Sequence, residues 1–560
     1  MKNDNELLFL PLGGSGEIGM NLNLYAHRGK WLMVDLGITF ADDSLPGIDV
    51  LTPDTAFIEG ERDNLIALVL THAHEDHLGA VPHLWDRLKC PIYATPFAAA
   101  VLERKLSDGG HDKAGPIHIV NYGEEQEIGP FNVTYWPITH SIPEGSALTI
   151  RTEAGTVFHT GDWKFDPDPV VGKPTDEERL RAIGDDGILA MVCDSTNVFG
   201  EGESGSEGAV RESLIRLVDE KPGRVVITTF SSNIARIRSA ADVAVATGRS
   251  LAVAGRSLLR MIDSAQRAGY LNDIPKILRD EDIPLLPREN VLLLCTGCQG
   301  EPRGAMSRIA FSDHPHVSLD PGDTVIFSSK IIPGNERPIG ALCNRLVESG
   351  VEVLTEHTDF VHVSGHPRRE ELRRMYAHIR PQIAVPVHGE SVHLTEHSAL
   401  AASLGVPEVV TPHNGNVIRL APGPAQVIDH VPSGRFAVDD DLLVSTDSDA
   451  LRARRRLMHN GIVVVVIVAG AETADVRVSV HGLASEPGEN LADDIGAEIE
   501  DQIGRAPRAR RQDPVELESF ARRSINRVVR AISQKRPLVD VQVILPASTG
   551  RRRRQKEVVE

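Results

Sequence analysis

The stretch THAHEDHLGA (71–80) directly follows the apolar run LIALVL (65–70). With 22 histidines in 560 residues, an HxHxDH pattern is expected by chance only about 0.002 times in a chain of this length. The pattern therefore indicates a functional site. It contains four side chains of the kinds that bind metal ions in proteins, namely His72, His74, Asp76 and His77.

The spacing within this stretch predicts two neighbouring metal sites. Residues two apart in an extended segment point to the same side, so His72 and His74 can hold one cation. The turn that follows re-aims Asp76 and His77 toward a second cation. Imidazoles and carboxylates suit zinc or manganese, and two such ions about 3.5 to 4 Å apart suit the hydrolysis of phosphate esters.

Four side chains cannot fill two metal sites, so further ligands must come from elsewhere in the chain. Three later segments place a polar residue just after an apolar run, where a sheet presents its loops. These are His140 in YWPITHSIP, Asp162 in TVFHTGDWK and His388 in IAVPVHGE. Each alone could be an ordinary loop residue, but together with the first stretch we expect them to complete the two sites.

The rest of the chain predicts a layered α/β protein. At roughly 150 residues per domain, 560 residues correspond to three or four domains. Residues 7–70 and 130–200 contain short apolar or alternating runs, which indicate strands. Strands and helices alternate over 207–365, a pattern typical of a parallel sheet. Residues 461–547 predict a small α+β module.

The composition limits the classes of function. The chain has 59 basic and 79 acidic residues and a net charge of −20, which argues against indiscriminate wrapping of nucleic acid. A narrow basic channel is still compatible with this balance. Aromatic residues make up 4% of the chain, too few for an extended base-stacking platform.

The chain is expected to be cytoplasmic, with no association with membranes. No apolar run approaches the ~20 residues of a membrane helix, and the longest, residues 462–469, predicts a buried strand. The N-terminal MKNDNELLFLPLGG carries charges where a signal peptide needs a long apolar core. The five cysteines are scattered, so we expect reduced thiols.

Two motifs resemble known sites but lack the context that those sites need. Gly14, Gly16 and Gly19 spell GxGxxG, as in a dinucleotide-binding fingerprint, but the following residues alternate like a strand and leave no room for a crossover helix. We expect a tight loop between antiparallel strands near the site. Cys295 and Cys298 form a lone CxxC, which is interpreted as two small buried residues.

With Asp35, the HAHEDH stretch, His140 and Asp162 resemble the metallo-β-lactamase fold, an αββα sandwich with a dinuclear metal site. Asp194 in CDSTN, His366 in HVSGH and His388 in PVHGE resemble the motifs of β-CASP nucleases. Across essentially the whole chain, the order of elements is similar to the bacterial ribonuclease J family. Further similar stretches are GGSGEIGMN, FSSNIARI, CTGCQGEP, FSSKIIPGNE and HVSGHPRREEL. Cys298 departs from the family's usual small or hydroxyl residue, and the C-terminal module matches least well.

The resemblance implies a domain plan for the chain. It consists of a metallo-β-lactamase domain in two parts, an inserted β-CASP α/β domain, a linker, a small C-terminal α+β domain and a basic disordered tail. The expected bounds are 1–206 and 366–435 for the two parts, 207–365 for the insertion, 436–460 for the linker, 461–550 for the C-terminal domain and 551–560 for the tail.

The resemblance also implies roles for the site residues. Two zinc ions per subunit are expected, with manganese or magnesium as alternatives. Asp35 would orient a histidine from outside the ligand set. Asp194 and His366 would lie close to the metals, with His366 stabilising the phosphate or protonating the leaving oxygen; the alternative for His366 is a buried structural histidine. The implied ligands are His72, His74 and His140 for one metal, Asp76, His77 and His388 for the other, and Asp162 as the bridge, with Asp76, Asp194 and His366 as the catalytic residues.

Several loops are candidates for binding RNA phosphates. Ser231, Ser232 and Asn233 follow a strand and open a helix, so they could face an anion or simply cap the helix. In HVSGH, Ser364 and Gly365 could let the backbone approach a nucleotide. The resemblance implies RNA binding by both segments, the second comprising His362, Val363, Ser364, Gly365 and His366. Weaker candidates are Ser328–Lys330 for a 5′ phosphate, a structural cation near Asp49, and the arginine runs 508–511 and 551–554, which could equally be solvated surface.

The resemblance implies a ribonuclease that degrades single-stranded RNA 5′ to 3′ from a 5′ monophosphate and also cuts internally. It further implies a homodimer or homotetramer and RNA-decay partners. The alternatives are a DNA nuclease of the same superfamily, a small-molecule hydrolase on the same fold, and a non-catalytic assembly partner. The inserted domain argues against the small-molecule hydrolase, and the complete ligand set argues against the non-catalytic partner.

Overall fold

The computed structural model describes residues 5–110, 116–470, 474–485 and 490–545. The chain forms two compact units, one of Met1–Phe40 with Val50–Phe436 and one of Ala41–Asp49 with Ala437–Glu560. The predicted tail 551–560, with its arginine run, lies outside the described residues. Within the described ranges, no helix combines the length and the apolar character needed to cross a membrane.

The first unit contains two mixed sheets that face each other. The first sheet runs, strand by strand, through Gln426–His430, Asn416–Ala421, Leu7–Gly13, Leu22–His27, Lys30–Val34, Leu65–Val69, Ile92–Ala94 and Ile117–Ile119. The second runs through Glu125–Ile128, Phe131–Pro137, Ser146–Thr152, Gly155–His159, Ala190–Asp194, Ile383–Val387 and Glu408–Val409. Short pairings join Ser15–Gly16 with Gly389–Glu390 and Thr39–Phe40 with Val50–Pro53.

The apolar core lies between these sheets. Phe9 and Val34 from the first sheet meet Phe131, Ile150 and Val385 from the second, and all five side chains are fully buried. Burying such side chains provides the main driving force for stacking the sheets. Helices Glu177–Asp185, Arg369–Ile379 and Ser391–Ser403 pack on the outer face of the second sheet. The other helices of these layers are Ala56–Gly60, Arg62–Asn64 (3-10), Glu75–Leu78, Val81–Leu88 and Pro96–Asp108.

An inserted α/β domain follows the strand Ala190–Asp194, as predicted from the alternation over 207–365. Its sheet is parallel and runs through Leu278–Arg279, Ser250–Ala254, Val291–Cys295, Val225–Thr228, Thr324–Phe327 and Glu352–Leu354. Its helices are Glu207–Asp219, Ile234–Ala246, Arg256–Arg267, Ala305–Ala310 and Glu336–Glu348, with 3-10 turns at Asp280–Leu285 and Arg288–Asn290.

The second unit contains a small sheet with helices on one face. The sheet runs through Ala474–His481, Ile462–Ala469 and Leu538–Ile544. The helices are Leu491–Arg505, Arg508–Arg511 and Pro514–Ile532. The strand predicted at 462–469 is confirmed, but only one of its faces is buried: Val463 and Val465 are fully buried, whereas Val468 is 40% exposed. The helices cover only one face of the sheet, so alternate side chains stay accessible.

Residues 436–460, expected to be a linker, contain regular secondary structure. Strands Arg435–Asp439 and Leu442–Ser445 precede the helix Asp449–Asn460. Within this segment the Arg454 guanidinium contacts the Asp439 carboxylate at 2.6 Å. The dense charge that indicated a linker therefore supports local ion pairs and a solvated helix.

The glycine-rich loop 13–19 lies beside the metal-ligand candidates. It connects strands Leu7–Gly13 and Leu22–His27, which are antiparallel, as predicted. Gly14, Gly16 and Gly19 all have positive φ angles, of 81°, 100° and 85°. The carbonyl of Gly14 accepts a hydrogen bond from the backbone N–H of His388 at 2.7 Å. The glycines thus shape a loop that positions a site residue.

The HxHxDH turn packs directly against the backbone of residues 36 and 37, which follow a strand of the first sheet. The backbone N–H of Leu36 donates to the carbonyl of His77 at 2.7 Å. A Cβ atom added to Gly37 would lie 1.7 Å from the carbonyl oxygen of Asp76, far inside van der Waals contact. The turn that carries two candidate ligands can therefore sit where it does only because residue 37 has no side chain.

We expect Gly37→Ala to displace the Asp76–His77 turn and to lower the free energy of unfolding by about 3 kcal/mol. Thermal unfolding of the metal-free protein and metal content after dialysis against zinc would measure both effects. The variant should melt at a lower temperature and bind less metal than the wild type.

Gly340→Ala is the matched control for this variant. Gly340 lies in the helix Glu336–Glu348, and nothing lies within 4 Å of the position that its Cβ would take. Alanine stabilises a helix interior by about 1 kcal/mol relative to glycine, so this variant should melt no lower than the wild type. Equal melting temperatures and metal contents for the two variants would contradict the close-approach argument.

Candidate metal centre

The predicted metal ligands lie just after the carboxyl ends of strands in the two facing sheets. Strands Gly155–His159, Ala190–Asp194 and Ile383–Val387 are parallel neighbours, so their carboxyl ends meet at one edge of the second sheet. In the first sheet, Lys30–Val34 and Leu65–Val69 are also parallel. The loops after these strands converge, and the structure brings together His72, His74, Asp76, His77, His140, Asp162, Asp194, His366 and His388.

The first potential ligand group consists of His72, His74, His140 and Asp162. The Nε2 atoms of His72 and His140 each lie 3.0 Å from Nδ1 of His74. Oδ2 of Asp162 lies 3.9 Å from the same two Nε2 atoms. Four ligands around a tetrahedral zinc ion are about 3.4 Å apart, so these spacings fit one cation.

The second potential group consists of Asp76, His77, Asp162 and His388. Nε2 of His77 lies 3.1 Å from Oδ2 of Asp162 and 3.7 Å from Oδ2 of Asp76. Nε2 of His388 lies 3.3 Å from the same Asp76 oxygen, and its Nδ1 lies 2.8 Å from Oδ1 of Asp162. Asp162 is therefore common to both groups, and each of its oxygens faces ring nitrogens.

Burial keeps the histidines of the first group neutral. It lowers the pKa of His72 and His140 well below the usual 6.5, and neighbouring imidazoles lower both further. Burial also lowers the pKa of His74, to about 4. Neutral imidazole is the form that binds metal. Nδ1 of His74 lies 3.0 Å from each of the other two ring nitrogens, so their lone pairs repel one another, and a cation would relieve this repulsion.

The second group holds its protons more firmly. Burial disfavours the charged form of His77 and His388, but the Asp162 carboxylate outweighs this effect. As a result the pKa of His77 is raised well above its usual value, and that of His388 is raised to about 10. A cation bound here would replace these protons as the partner of the carboxylates.

Asp35 fixes the orientation of His77 from behind. Its Oδ2 lies 2.7 Å from Nδ1 of His77, which leaves Nε2 to face the ligand group. The Thr71 hydroxyl donates to the same oxygen at 2.8 Å, and the Thr71 backbone N–H donates to Oδ1 at 2.8 Å. Asp35 adopts φ of 63°, which is uncommon outside glycine. Asp35 was predicted from sequence, whereas Thr71 was missed, because a threonine before a histidine carries no distinctive signal.

The HVSGH loop, predicted to approach a nucleotide, contacts His140. Nδ1 of His140 donates to the carbonyl of Gly365 at 2.6 Å, and a Cβ at residue 365 would lie 2.9 Å from the imidazole ring. The Ser364 hydroxyl bonds to the backbone of His366, accepting from its N–H at 3.0 Å and donating to its carbonyl at 3.1 Å. The glycine thus lets the loop approach His140, and the serine closes a local turn; neither observation involves a nucleotide.

His366 pairs with Asp194, and these two residues form a third potential ligand group with Asp162 and His388. Nδ1 of His366 lies 2.8 Å from Oδ2 of Asp194 and 3.9 Å from Oδ2 of Asp162. Burial lowers the pKa of His366, but the contact with Asp194 outweighs it and raises the pKa above 6.5. The Asp194 side chain is fully buried, whereas that of His366 is 24% exposed, so His366 can reach an incoming ligand.

Residues 231–233, which the sequence suggested either cap a helix or face an anion, lie at the start of helix Ile234–Ala246. Oδ1 of Asn233 accepts a hydrogen bond from the backbone N–H of Arg236 at 2.8 Å, so Asn233 caps the helix. Ser231 and Ser232 are half-buried, and within the described parts of the chain their hydroxyls have no protein partner. These two hydroxyls are available to a ligand.

Arg236 is a buried residue that sequence analysis missed. Its guanidinium contacts the Glu207 carboxylate at 2.7 Å and donates to the carbonyl of Val361 at 2.8 Å. It also donates to Ser328, whose hydroxyl in turn donates to the Val361 carbonyl at 2.7 Å. The Ser328 hydroxyl is thus engaged internally, which leaves Ser329 and Lys330 of the predicted 5′-phosphate segment. An arginine in a helix usually faces solvent, so no pattern distinguishes this one.

Neighbouring residues cover two side chains of the HVSGH segment, those of Val363 and His362. Val363 is buried and lies close to Gly205, where a glycine Cβ would come within 2.9 Å of its side chain. Burial, together with the nearby Arg236 charge, lowers the pKa of His362 well below 6.5. His362 is therefore a neutral side chain at the junction between the inserted domain and the sheets.

Cys295 and Cys298 match their interpretation as small buried residues. Both thiols are free and buried. Burial raises the pKa of each to about 12. At neutral pH they are protonated, which is the unreactive form of a thiol.

Two weaker predictions concern the second unit. Asp49 is exposed, and it belongs to none of the potential metal-ligand groups formed by the described residues. Arg508–Arg511 form a short helix without a buried residue. The structure therefore gives neither prediction further support.

Four family models match successive parts of the chain. The metallo-β-lactamase superfamily model matches residues 20–229, and the ribonuclease J β-CASP domain model matches residues 222–346. A model described as a Zn-dependent metallo-hydrolase RNA specificity domain matches residues 350–412. The ribonuclease J C-terminal domain model matches residues 449–545. The predicted fold class, a metallo-β-lactamase domain with an inserted β-CASP domain and a C-terminal domain, is confirmed.

Relatives that align over most of the chain have one name in common. Ribonuclease J of Sinorhizobium meliloti is 45% identical over 97% of this chain and 98% of its own length. Ribonuclease J of Corynebacterium glutamicum is 36% identical over 96% of this chain and 76% of its own. A crystal structure of a protein of unknown function from Enterococcus faecalis V583 has a similar fold, with a TM-score of 0.52 and 18% identity over 74% of this chain and 100% of that one. The chain belongs to the ribonuclease J family.

Proposed function

We propose that the protein is a metal-dependent ribonuclease that degrades single-stranded RNA 5′ to 3′ from 5′-monophosphate ends and also cuts internally. The observation that carries the proposal is the position of Asp162, which belongs to all three overlapping groups of potential metal ligands, two of which correspond to the two predicted ligand sets. The names of the relatives and the match to an RNA specificity domain support RNA as the substrate. We further propose a cytoplasmic homodimer or homotetramer that works with RNA-decay partners.

The donor set fits two divalent cations, and zinc is the proposed metal, with manganese or magnesium as alternatives. His72, His74 and His140 would hold one ion, Asp76, His77 and His388 would hold the other, and Asp162 would bridge them. When bound, such a pair of ions lowers the pKa of water and neutralises charge on a phosphodiester. Asp35 and Gly365 keep Nε2 of His77 and of His140 directed at the ions.

His366 is the proposed proton donor to the leaving oxygen. Asp194 engages Nδ1 of His366 at 2.8 Å, which leaves Nε2 as the ring nitrogen that can donate to a ligand. The same carboxylate raises the pKa of His366 and so favours the protonated ring. An imidazolium beside the phosphate both stabilises its negative charge and supplies a proton.

The RNA backbone is proposed to contact loops of the inserted domain. The Ser231 and Ser232 hydroxyls can donate to phosphate oxygens at the start of a helix, where the helix dipole also favours an anion. Arg236, on the helix that follows these serines, donates to the carbonyl of Val361 directly before the 362–366 loop. His140 donates to the carbonyl of Gly365 within that loop. These contacts read the backbone and therefore carry little base specificity.

The experiment that tests the activity uses one RNA labelled at its 3′ end and prepared with a 5′ monophosphate, triphosphate or hydroxyl, beside the matching DNA. We expect fast, chelator-sensitive loss of the monophosphorylated RNA with mononucleotides as product. Equal cutting of all three RNAs would contradict the preference for a 5′ monophosphate and support only the internal cleavage. Preference for DNA, or no cleavage of any strand, would contradict the proposal.

We expect Asp76→Ala to lower the rate of RNA cleavage more than about 100-fold, because loss of a metal ligand should exceed the 10–100-fold cost of losing an outer partner. Cleavage rate and bound metal, measured on the same sample, should both fall. Asp63→Ala, at an exposed carboxylate, is the control and should match the wild type. Wild-type cleavage by the Asp76 variant would refute the ligand assignment.

We expect His366→Ala to reduce kcat by about 10² to 10⁴ while metal content stays near the wild-type value, because the side chain acts on the substrate. Asp194→Asn should have a smaller effect, since the imidazole remains but loses its charged partner. His357→Ala, at an exposed histidine nine residues earlier, controls for changes in the loop. Loss of bound metal in step with kcat would show that His366 is a ligand and not a proton donor.

A further inference from the structure

A basic cavity lies within the second unit, among residues that the proposed nuclease site does not use. Its volume is about 400 Å³, within the range of small-ligand pockets. Its polar lining consists of Arg456, Arg522, Asn526, Arg530 and Arg536. Pro537, Leu538 and Val539 complete the lining, and none of the lining residues is acidic.

Three elements of the fold bring these side chains together. Arg456 lies on the helix Asp449–Asn460, and Arg536 lies just before the strand Leu538–Ile544. Arg522, Asn526 and Arg530 lie on the helix Pro514–Ile532 at intervals of four residues, so they form a row on one face. Eight residues of helix rise about 12 Å. The row is therefore longer than a single phosphate group.

Part of the lining is fixed in place. The Arg522 guanidinium contacts the Glu518 carboxylate at 2.7 Å and donates to the carbonyl of Val539 at 3.3 Å. The backbone N–H of Arg536 donates to Oδ1 of Asn460 at 3.1 Å, which ties the segment before the strand to the neighbouring helix. The backbone elements that line the cavity are thus connected to one another.

The other three arginines of the cavity are not neutralised. Within the described residues, the guanidinium groups of Arg456, Arg530 and Arg536 have neither an ion-pair nor a hydrogen-bond partner. Elsewhere in the same unit carboxylates pair with Arg452, Arg454, Arg477, Arg505 and Arg527. Arg508 and Arg510, outside the cavity, likewise have no carboxylate partner among the described residues. The cavity differs in that its unpaired guanidinium groups line one common space.

Converging like charges destabilise a folded protein unless an anion compensates them. Guanidinium groups bind phosphate oxygens through two parallel hydrogen bonds and also stack on planar bases. A row of about 12 Å matches a ligand with successive phosphate groups better than one with a single phosphate. A strand of RNA provides such a series, and it is the substrate of the proposed function.

We propose that the cavity lined by Arg456, Arg522, Arg530 and Arg536 binds the phosphate backbone of single-stranded RNA. It is a second RNA contact, in the C-terminal unit, in addition to the serine and HVSGH loops. The ligand class rests on the proposed function, but binding at the cavity can be measured without cleavage.

The test measures binding of a fluorescent 5′-hydroxyl RNA to the full-length protein in chelator, from 50 to 200 mM salt. We expect the triple variant Arg456→Gln/Arg530→Gln/Arg536→Gln to bind about tenfold more weakly. Each lost phosphate contact on a single strand reduces the slope of log affinity against log salt by about 0.7, so the slope should fall by about 2. All three residues are exposed, so the variant should fold normally.

The matched control removes the same charge from the same unit outside the cavity. Arg452→Gln/Arg477→Gln/Arg505→Gln should change affinity less than twofold. Equal losses in the two triple variants would show general electrostatic attraction and overturn the inference, as would no loss in either. If tripolyphosphate binding depended on the cavity arginines while RNA binding did not, the assignment to RNA would also be wrong.

The binding assay separates this inference from the proposed function. A protein that binds RNA through the cavity but cleaves no RNA when loaded with metal would contradict the nuclease activity alone. A protein that cleaves RNA normally while the cavity variant keeps wild-type affinity and salt dependence would contradict the cavity site alone.

Discussion

The carboxylate of Asp162 is the point on which the surrounding structure depends. It accepts from His77 and His388 at 3.1 and 2.8 Å and lies 3.9 Å from three further imidazoles. Several titratable groups buried so close together are costly unless each has a partner. The two sheets supply those partners, because loops from both end at the same edge. The apolar core between the sheets supports that edge and so helps to keep the ligand atoms in a fixed arrangement.

Much of this centre could be predicted because ligands obey local rules. The HxHxDH stretch is recognisable from spacing alone, and His140, Asp162 and His388 could be found because each follows an apolar run. The residues that orient the ligands follow no such rule. Thr71 and the Gly365 carbonyl act through contacts between distant segments, which one sequence does not encode in any period. The same limit applies to residues 462–469: the apolar run predicts a buried strand correctly, but hydrophobicity does not say that neighbours cover only one of its faces.

A buried arginine ties the start of the inserted domain to its end. Arg236 reaches Glu207, where the insertion begins, and Val361, where it ends. Breaking such a pair by removing one partner leaves a buried charge without compensation, which costs about 3–5 kcal/mol. The arginine also follows the Asn233 cap, so the serine loop and the HVSGH loop share one anchor. Any tilt of the insertion would therefore move both candidate RNA-binding loops together.

The buried thiols have a consequence for how the protein withstands oxidation. Cys90, Cys193, Cys295 and Cys298 are buried, and burial raises the pKa of each thiol far above neutrality. Cys343 is partly covered, and its pKa is raised as well. Peroxides and disulfides react with thiolate, so these side chains are poor targets. The candidate ligands are imidazoles and carboxylates, which two-electron oxidants leave intact. The centre is thus chemically independent of the redox state of its surroundings.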